Sequence, residues 1–354
     1  MFNFAQANIA VNLSIFAVAA VIVWFAGARI TGYANAISSK TGVGQATIGL
    51  LLLGGVTSLP EIGATVTSAA TGASELAINN LFGSTAIQVA ILAIVDQLTG
   101  RKALTSVIPD PNVMLQGGLN VLLLAIAAAG MVVGDISVLG VGVWAWICVA
   151  GYAVSVYVLS RSQGRKPWVA AERGKVDHRL DTQQAKAQEE AGKKLADRSL
   201  ANLIAWTAGL GFVILVAGYL LSRTGDALSE QSGLGGSFMG FVLLAFGTCL
   251  PEFSTTLTAA RAGLYTLAVS DILGTNLIHV GLIFVIDLVG AGEPILSQAG
   301  AFSVFGALLG IALTALFVIG MAERDDKTIL HMGIDSAAVL VCYFAGLIIL
   351  FFLR

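Results

Sequence analysis

Charged side chains are scarce in this chain of 354 residues. Lys, Arg, Asp and Glu make up 11% of it and hydrophobic residues 56%, whereas a soluble domain carries roughly 25% charged residues. This composition excludes an ordinary soluble domain and predicts an all-α polytopic membrane protein embedded in the lipid bilayer. The net charge is only -2, so nothing indicates a nucleic acid or another polyanion as a partner.

Cysteine and histidine are also rare. The three cysteines, Cys148, Cys249 and Cys342, have no paired spacing, so neither a disulfide framework nor a zinc site is predicted. The sequence contains no nucleotide-binding motif and no nucleophile–base pair. We therefore expect neither an enzyme nor a bound cofactor, and no obligate protein partner is indicated. The first apolar segment lacks a basic stretch before it, which favours a retained helix over a cleaved signal.

Long apolar runs dominate the rest of the chain. A transmembrane helix needs about 20 largely apolar residues. Ten segments meet this requirement, and one long polar stretch over 161–199, interpreted as a solvated helical loop, separates the fifth from the sixth. The predicted spans are 8–27, 44–70, 76–95, 113–133, 137–160, 200–222, 235–260, 266–291, 299–321 and 333–353.

Basic residues are distributed unevenly between the two sides of these spans. Arg29, Lys40 and fifteen others fall on the side that contains the central loop, and only Arg223 and Arg354 fall on the opposite side. Because cytoplasmic loops carry an excess of Lys and Arg, this split predicts that the central loop is cytoplasmic and both termini lie outside.

The chain contains an internal repeat. An offset of 191 residues aligns 49–96 with 240–287 without a gap, with 17 identities in 48 positions. Five spans separate the two copies, and because this number is odd, the second copy enters the membrane from the opposite side. Such inverted repeats are typical of secondary transporters. We predict five-helix repeats over 1–160 and 200–354, joined by the loop 161–199.

Each copy places the same motif inside an apolar segment. The first reads TSLPE from Thr57 to Glu61 and the second TCLPE from Thr248 to Glu252. A proline inside a helix removes a backbone donor and releases a carbonyl, which is tolerated at membrane depth only beside a cavity or ligand. Two carboxylates from opposite repeats match one divalent cation, and oxygen-rich surroundings suit calcium. The same hydroxyl and carbonyl oxygens also suit sodium.

At these motifs the chain resembles the calcium:cation antiporter superfamily, and within it the prokaryotic sodium/calcium exchanger branch. The resemblance rests on GVTSLPE with NNLFGSTAIQ in one repeat and on FGTCLPE with SDILGTNLIH in the other. It implies an antiporter that exchanges calcium for sodium across the plasma (inner) membrane by alternating access. It also implies that helices 2, 3, 7 and 8 form the ion-binding core and that helices 1 and 6 slide across it.

The resemblance further implies a role for each matching residue. Glu61 and Glu252 would bind calcium and also sodium, and Thr57 and Thr248 would supply oxygens to the central site. Four further side chains would complete the flanking sodium sites, namely Ser58, Cys249, Ser84 and Thr275. Gly54 and Ala245 would offer backbone carbonyls, and Gln88 and His279 are also candidate ion-site residues.

Several of these positions depart from the family pattern. Cys249 stands where the pattern has serine, and Gln88 and His279 stand where it has Asn or Asp. A soft sulfur should weaken a flanking sodium site. Two alternatives therefore remain open, a proton-coupled divalent cation exchanger on the same fold and a passive cation channel. The motif GNxxE of the proton-coupled branch is absent, which favours sodium.

Two further pairs of residues have more than one interpretation. His279 aligns with Gln88 and is expected beside Glu61 and Glu252, where it either adds a proton-sensitive ligand or merely packs. Asp96 and Asp287 end their helices. They suit an interfacial role or, alternatively, a role in ion entry.

Overall fold

The computed structural model describes residues 3–43, 45–99, 103–108, 110–162, 171–172, 175–176, 195, 198–233, 235–290, 293–323 and 327–353. Within these residues, eight helices are long and apolar enough to cross a membrane, or up to ten if each of two bent helix pairs counts as one span. The protein is therefore a multi-pass membrane protein, as its composition predicts.

The first half of the chain runs from α1 to α8. Its helices are α1 Ile9–Thr41, α2 Gln45–Thr47, α3 Gly54–Thr57, α4 Leu59–Ala70, α5 Ser74–Thr99, α6 Leu104–Val107, α7 Asn112–Val133 and α8 Val143–Ser162. A π-helical turn, Ile48–Leu53, joins α2 to α3. The antiparallel pair β1 Ser137–Val138 and β2 Val141–Gly142 precedes α8.

The second half repeats this order. Its helices are α9 Leu200–Ser232, α10 Gly236–Met239, α11 Ala245–Thr248, α12 Leu250–Arg261, α13 Tyr265–Val289, α14 Ile295–Gln298, α15 Ala301–Glu323 and α16 Ile334–Leu353. A π-helical turn, Gly240–Leu244, joins α10 to α11. The antiparallel pair β5 Thr328–Ile329 and β6 Met332–Gly333 precedes α16. The two halves thus share one architecture at the 191-residue offset.

Some predicted boundaries were wrong. The first and sixth spans were expected over 8–27 and 200–222, but α1 and α9 each have 33 residues. Each helix is therefore about 50 Å long, well beyond the roughly 30 Å of hydrocarbon in a bilayer. Arg29 consequently lies within α1 rather than in a loop. The apolar count stopped at polar residues such as Thr31 and Asn35, which are in fact buried against neighbouring helices.

Two other predictions also need correction. The fifth span was expected from 137, yet 137–142 forms the β1–β2 pair and the helix begins at Val143. Gly140 has a positive φ of 81° there, so it allows a tight turn between the strands. The central stretch was interpreted as helical, but β3 Ala171–Glu172 and β4 Lys175–Val176 form an antiparallel pair. Most of 161–199 lies outside the described residues.

The most deeply buried helices are α5 and α13, which lie between the other spans. In an apolar stretch of 18 residues in each helix, 94% of the residues of α5 and 67% of those of α13 are buried. They pack against each other and against the bent helix pairs. By contrast, α1 and α9 pack along each other at the side of this core. Only 28% of the residues in the corresponding 18-residue stretch of each helix are buried. The repeated motifs therefore lie on α5, on α13 and on the two bent helix pairs, which pack against one another.

Asp96 and Asp287 hold the two halves together. The Asp96 carboxylate accepts hydrogen bonds from the backbone N–H of Leu104 and of Gly333, both at 2.8 Å. The equivalent Asp287 carboxylate accepts from Ile295 at 2.7 Å and from Gly142 at 2.9 Å. Each aspartate thus caps a short helix of its own half and accepts a hydrogen bond from the β-hairpin of the other half.

Candidate functional site

Both motif-bearing spans are bent at the residue before the Leu-Pro-Glu sequence. The first bends by 48° between α3 and α4, and the second by 44° between α11 and α12. Pro60 and Pro251 lie in the first turn of the helix that follows each bend. Proline is tolerated there because the first-turn N–H groups have no intrahelical acceptor. Ser58 and Cys249 occupy the two bends.

Glu61 and Glu252 lie one residue after these prolines and are fully buried. All four of their carboxylate oxygens lack a hydrogen-bond partner among the described residues. Glu61 lies beside Thr248 and Cys249 of the other repeat, and Glu252 lies beside Thr57. A buried charged group without partners is costly, so these oxygens are available to a positive ion between the two bends.

Oxygen atoms surround the first bend. The Gly54 carbonyl oxygen accepts from the Ser58 hydroxyl at 2.5 Å and from the Thr275 hydroxyl at 3.4 Å. The Thr57 hydroxyl donates to the Leu53 carbonyl at 3.0 Å. Thr275 belongs to α13, so the structure brings the predicted residues of both repeats together at this point.

The second bend contains the sulfur atom of Cys249 where the first bend has the hydroxyl oxygen of Ser58. The Thr248 hydroxyl donates to the Ala245 carbonyl at 3.3 Å. The Cys249 thiol donates to the Ser84 carbonyl at 3.8 Å and accepts from the Gln88 amide at 3.5 Å. The Ser84 hydroxyl has no hydrogen-bond partner among the described residues. Cys249 is therefore adjacent to α5, as Gly54 at the first bend is adjacent to α13.

His279 is also buried in the core, but its observed hydrogen bond is to Thr85. The His279 Nδ1 atom and the Thr85 hydroxyl are 3.4 Å apart, and His279 Nε2 has no partner among the described residues. The expected neighbourhood of His279 with Glu61 and Glu252 stays a prediction, since the hydrogen bond seen here joins it to α5 instead.

Asp271 was missed by the sequence reasoning. It is fully buried on α13, accepts a hydrogen bond from the Thr255 hydroxyl, and lies 3.4 Å from the Thr57 hydroxyl. A signal was present, because a carboxylate within a transmembrane span marks a functional position by default. The identities between the repeats do not reveal Asp271, because it aligns with Asn80.

The donor atoms at this site are mainly hard oxygens. Within the part of the chain that the structure describes, no three His, Cys, Asp or Glu side chains converge as a metal-binding group. The carboxylates of Glu61 and Glu252 are instead accompanied by hydroxyl and carbonyl oxygens. Such a set is chemically suited to calcium or sodium and poorly suited to zinc or copper.

The two long helices touch the core at the same two prolines. Gly218 of α9 is so close to Pro60 that an added Cβ would lie 2.4 Å from its Cα. Gly27 of α1 packs on Pro251 in the equivalent way, with an added Cβ 2.8 Å from its carbonyl oxygen. Gly27 and Gly218 are themselves 191 residues apart. The peripheral helices therefore contact the core directly beside Glu61 and Glu252.

Broken spans, buried carboxylates and an inverted repeat define a secondary transporter fold. The sequence model of the family described as sodium/calcium exchanger protein matches residues 11–161 and 202–353. This chain belongs to that family. A solved structure of the sodium-calcium exchanger NCX_Mj has the same fold, with a TM-score of 0.64 and 15% identity, and the match covers 96% of this chain and 98% of that one.

Several relatives match part of this chain at higher sequence identity. The sodium/potassium/calcium exchanger 1 of Rattus norvegicus is 34% identical over 117 residues, which are 31% of this chain and 10% of that protein. The chain thus matches about a tenth of that relative's length. The sodium/calcium exchanger MaX1 of Methanosarcina acetivorans is 26% identical over 126 residues, 35% of this chain and 34% of that protein. The inner membrane protein YrbG of Escherichia coli is 23% identical over 264 residues, 74% of each chain.

Proposed function

We propose that this protein is a secondary antiporter that exchanges calcium for sodium by alternating access. The observation that carries the proposal is the pair of buried carboxylates at the two bends, whose four oxygens have no partner among the described residues. One calcium ion balances two carboxylates, and sodium ions can replace it in the same oxygen-rich environment. The family and the proteins NCX_Mj and MaX1 are named as sodium/calcium exchangers, which supports these two ions.

The same proposal assigns a role to each member of the site. Glu61 and Glu252 bind both ions, and Thr57 and Thr248 contribute to the central site. The flanking sodium sites use the Gly54 and Ala245 carbonyls together with the side chains at the bends and on α5 and α13. These side chains are Ser58, Cys249, Ser84, Thr275, Gln88 and His279.

Alternating access requires a part that moves against the site. We assign this movement to α1 and α9, because they pack on each other and meet the core at Pro60 and Pro251. The glycine contacts place little side-chain bulk between the moving helices and the core. Such a smooth contact allows the long helices to shift along the core and expose the carboxylates to either side.

The experiment is calcium flux into proteoliposomes under an imposed sodium gradient or an imposed proton gradient. We expect the sodium gradient to drive calcium against its own gradient and the proton gradient to have no such effect. Calcium movement that follows the proton gradient would favour the proton-coupled alternative. Calcium that moves only down its own gradient, without any counter-ion, would indicate a channel.

We further propose that the protein resides in the plasma (inner) membrane with both termini outside and the central loop in the cytoplasm. The asymmetry of 17 against 2 basic residues supports this orientation. Single cysteines introduced at Asn3 and at Gln183 test it in cells, in a background with Cys342→Ser. Labelling of Asn3→Cys by an impermeant reagent from outside, and of Gln183→Cys only after lysis, is expected. The reverse pattern would overturn the orientation.

A further inference from the structure

The two repeats differ at a pair of positions that contact each other. Asp271 on α13 aligns with Asn80, and Thr255 on α12 aligns with Ala64. In the structure the Thr255 hydroxyl donates to the Asp271 carboxylate. Repeat two therefore carries both a carboxylate and the hydroxyl that binds it, and repeat one carries neither at the equivalent positions.

Oxygen atoms from both bent spans meet at this carboxylate. The Thr57 hydroxyl, from repeat one, lies 3.4 Å from Asp271 Oδ1 and 3.0 Å from the Leu53 carbonyl oxygen. The Thr255 hydroxyl, which contacts Asp271 Oδ2, lies 3.0 Å from the Glu252 carbonyl oxygen. Two hydroxyls, two carbonyls and a carboxylate thus form a compact set of hard oxygen donors.

Asp271 also adds a negative group near the two glutamates, although the three carboxylates do not converge on one point. It lies close enough to Glu61 and Glu252 to repel both electrostatically. No lysine or arginine is buried among the described residues, so no protein cation in that part of the chain offsets these groups. One divalent ion balances the two glutamates, and one negative charge is then left over. A charge left uncompensated within the membrane is costly.

We propose that Asp271, Thr255 and Thr57 form an additional subsite for one sodium ion, and that this ion is transported in each cycle. This inference rests on the proposed sodium/calcium exchange. Asp271 supplies the charge, and Thr57 links the subsite to the central site, because it lies one turn before Glu61. A cation entering the subsite replaces the longer hydroxyl contact, that of Thr57, and keeps the shorter contact of Thr255.

The equivalent location in repeat one cannot hold a cation in this way. Asn80 has a neutral side chain with no partner among the described residues, and Ala64 has no hydroxyl. Thr248, the counterpart of Thr57, donates to the Ala245 carbonyl and lies beside Glu61. The pseudo-twofold symmetry is therefore broken at this subsite, and the sodium ion that it binds has no counterpart in repeat one.

The test measures how many sodium ions are coupled to one calcium ion. Purified protein is placed in proteoliposomes with equal pH on both sides and the membrane potential held at zero by potassium and valinomycin. Under a fixed sodium gradient, the calcium gradient at steady state equals the sodium gradient raised to the number of coupled sodium ions. Vesicles with Glu61→Gln measure the passive leak, and the steady state is approached from both directions so that slow transport does not bias it.

The decisive variant is Asp271→Asn, which removes the charge and keeps an amide able to bond Thr255. With an about tenfold sodium gradient, we expect the steady-state calcium gradient of this variant to be smaller than that of the wild type by about the same tenfold factor. An unchanged gradient would overturn the subsite, since a purely structural hydrogen bond, or a proton held at Asp271, leaves the sodium count unaltered.

Two further variants keep the test decisive. Thr255→Ala retains the charge and loses one ligand, so we expect the same calcium gradient but a higher sodium concentration at half-maximal rate. If Asp271→Asn does not fold, an unchanged half-saturation in Thr255→Ala overturns the proposal. Glu323→Gln, which removes an exposed carboxylate outside the site, is the matched control and should behave as the wild type. Absence of any sodium-driven calcium gradient in the wild type would instead refute the proposed function itself.

Discussion

The two repeats are alike in how they hold the backbone and different in which atoms they offer to an ion. Pro60 and Pro251 lie in the first turn of equivalent helices after bends of 48° and 44°, and a glycine of a long helix packs on each proline. By contrast, Ser58 corresponds to Cys249 and Asn80 to Asp271. The shared features create two broken helices and the close contacts of Gly27 and Gly218 with the prolines. Under the proposed function, the differences change the affinity for ions, because they change donor atoms without disturbing the bends.

The largest expected effect removes one of the two symmetric carboxylates. Glu61→Gln or Glu252→Gln leaves only one of the two glutamate charges to bind a divalent ion at the bends, and breaking a buried charged set costs about 3–5 kcal/mol. We expect calcium uptake in proteoliposomes to fall by at least about a hundredfold in both variants. Near-normal uptake in either one would contradict the site, and comparable losses in both would show that the symmetry holds for function.

A second, somewhat smaller effect concerns the sliding contact. Gly218→Ala and Gly27→Ala place a methyl group against the backbone of Pro60 and Pro251, and such overpacking costs about 1–3 kcal/mol. We expect slower transport and lower thermal stability in both, with the larger loss for Gly218→Ala, where the contact is tighter. Gly209→Ala on the same helix α9 is the control, because an added Cβ there meets nothing within 4 Å. Equal transport rates and equal thermal stabilities of all three variants would contradict the close packing of the glycines on the prolines.

The aspartates that join the halves should have similar effects on stability. Asp96→Asn and Asp287→Asn each exchange one charge-assisted acceptor for an amide donor that cannot bind a backbone N–H. Hydrogen bonds to charged groups contribute about 1.5–3 kcal/mol, so a lower melting temperature is expected for both, measured by fluorescence in detergent. Transport per folded molecule should be preserved. A loss of transport at unchanged stability would instead support a role in ion entry.

The smallest effect restores symmetry at the bend. Cys249→Ser makes repeat two match Ser58 and replaces a soft sulfur with a hard oxygen, which sodium prefers. We expect the sodium concentration at half-maximal calcium flux to fall by a few fold, that is, by less than about 1.4 kcal/mol in affinity. Cys342→Ser, away from the bends, is the control. An unchanged half-saturation in Cys249→Ser would show that the sulfur does not set sodium affinity.

Much of the fold could be predicted from the sequence because the signals are local or repeated. The apolar runs indicated ten spans, and the 191-residue offset located both bends through their prolines. The lengths of α1 and α9 could not be predicted, because Thr31 and Asn35 look like the end of a span unless their burial against neighbouring helices is known. Gly27 and Gly218 have no distinctive local pattern, and only the packing of the long helices reveals their contacts with the prolines.

The sequence by itself determined that this protein crosses the membrane repeatedly, contains an inverted repeat and breaks two helices beside Glu61 and Glu252. These features follow from composition, periodicity and the backbone chemistry of proline. Only the tertiary structure decided which side chains meet across the repeats. It showed that Asp271 contacts Thr255 and Thr57, and that the Asp96 and Asp287 carboxylates accept hydrogen bonds from backbone N–H groups of both halves. Such contacts join residues that are up to 237 positions apart, and their geometry depends on how whole helices pack.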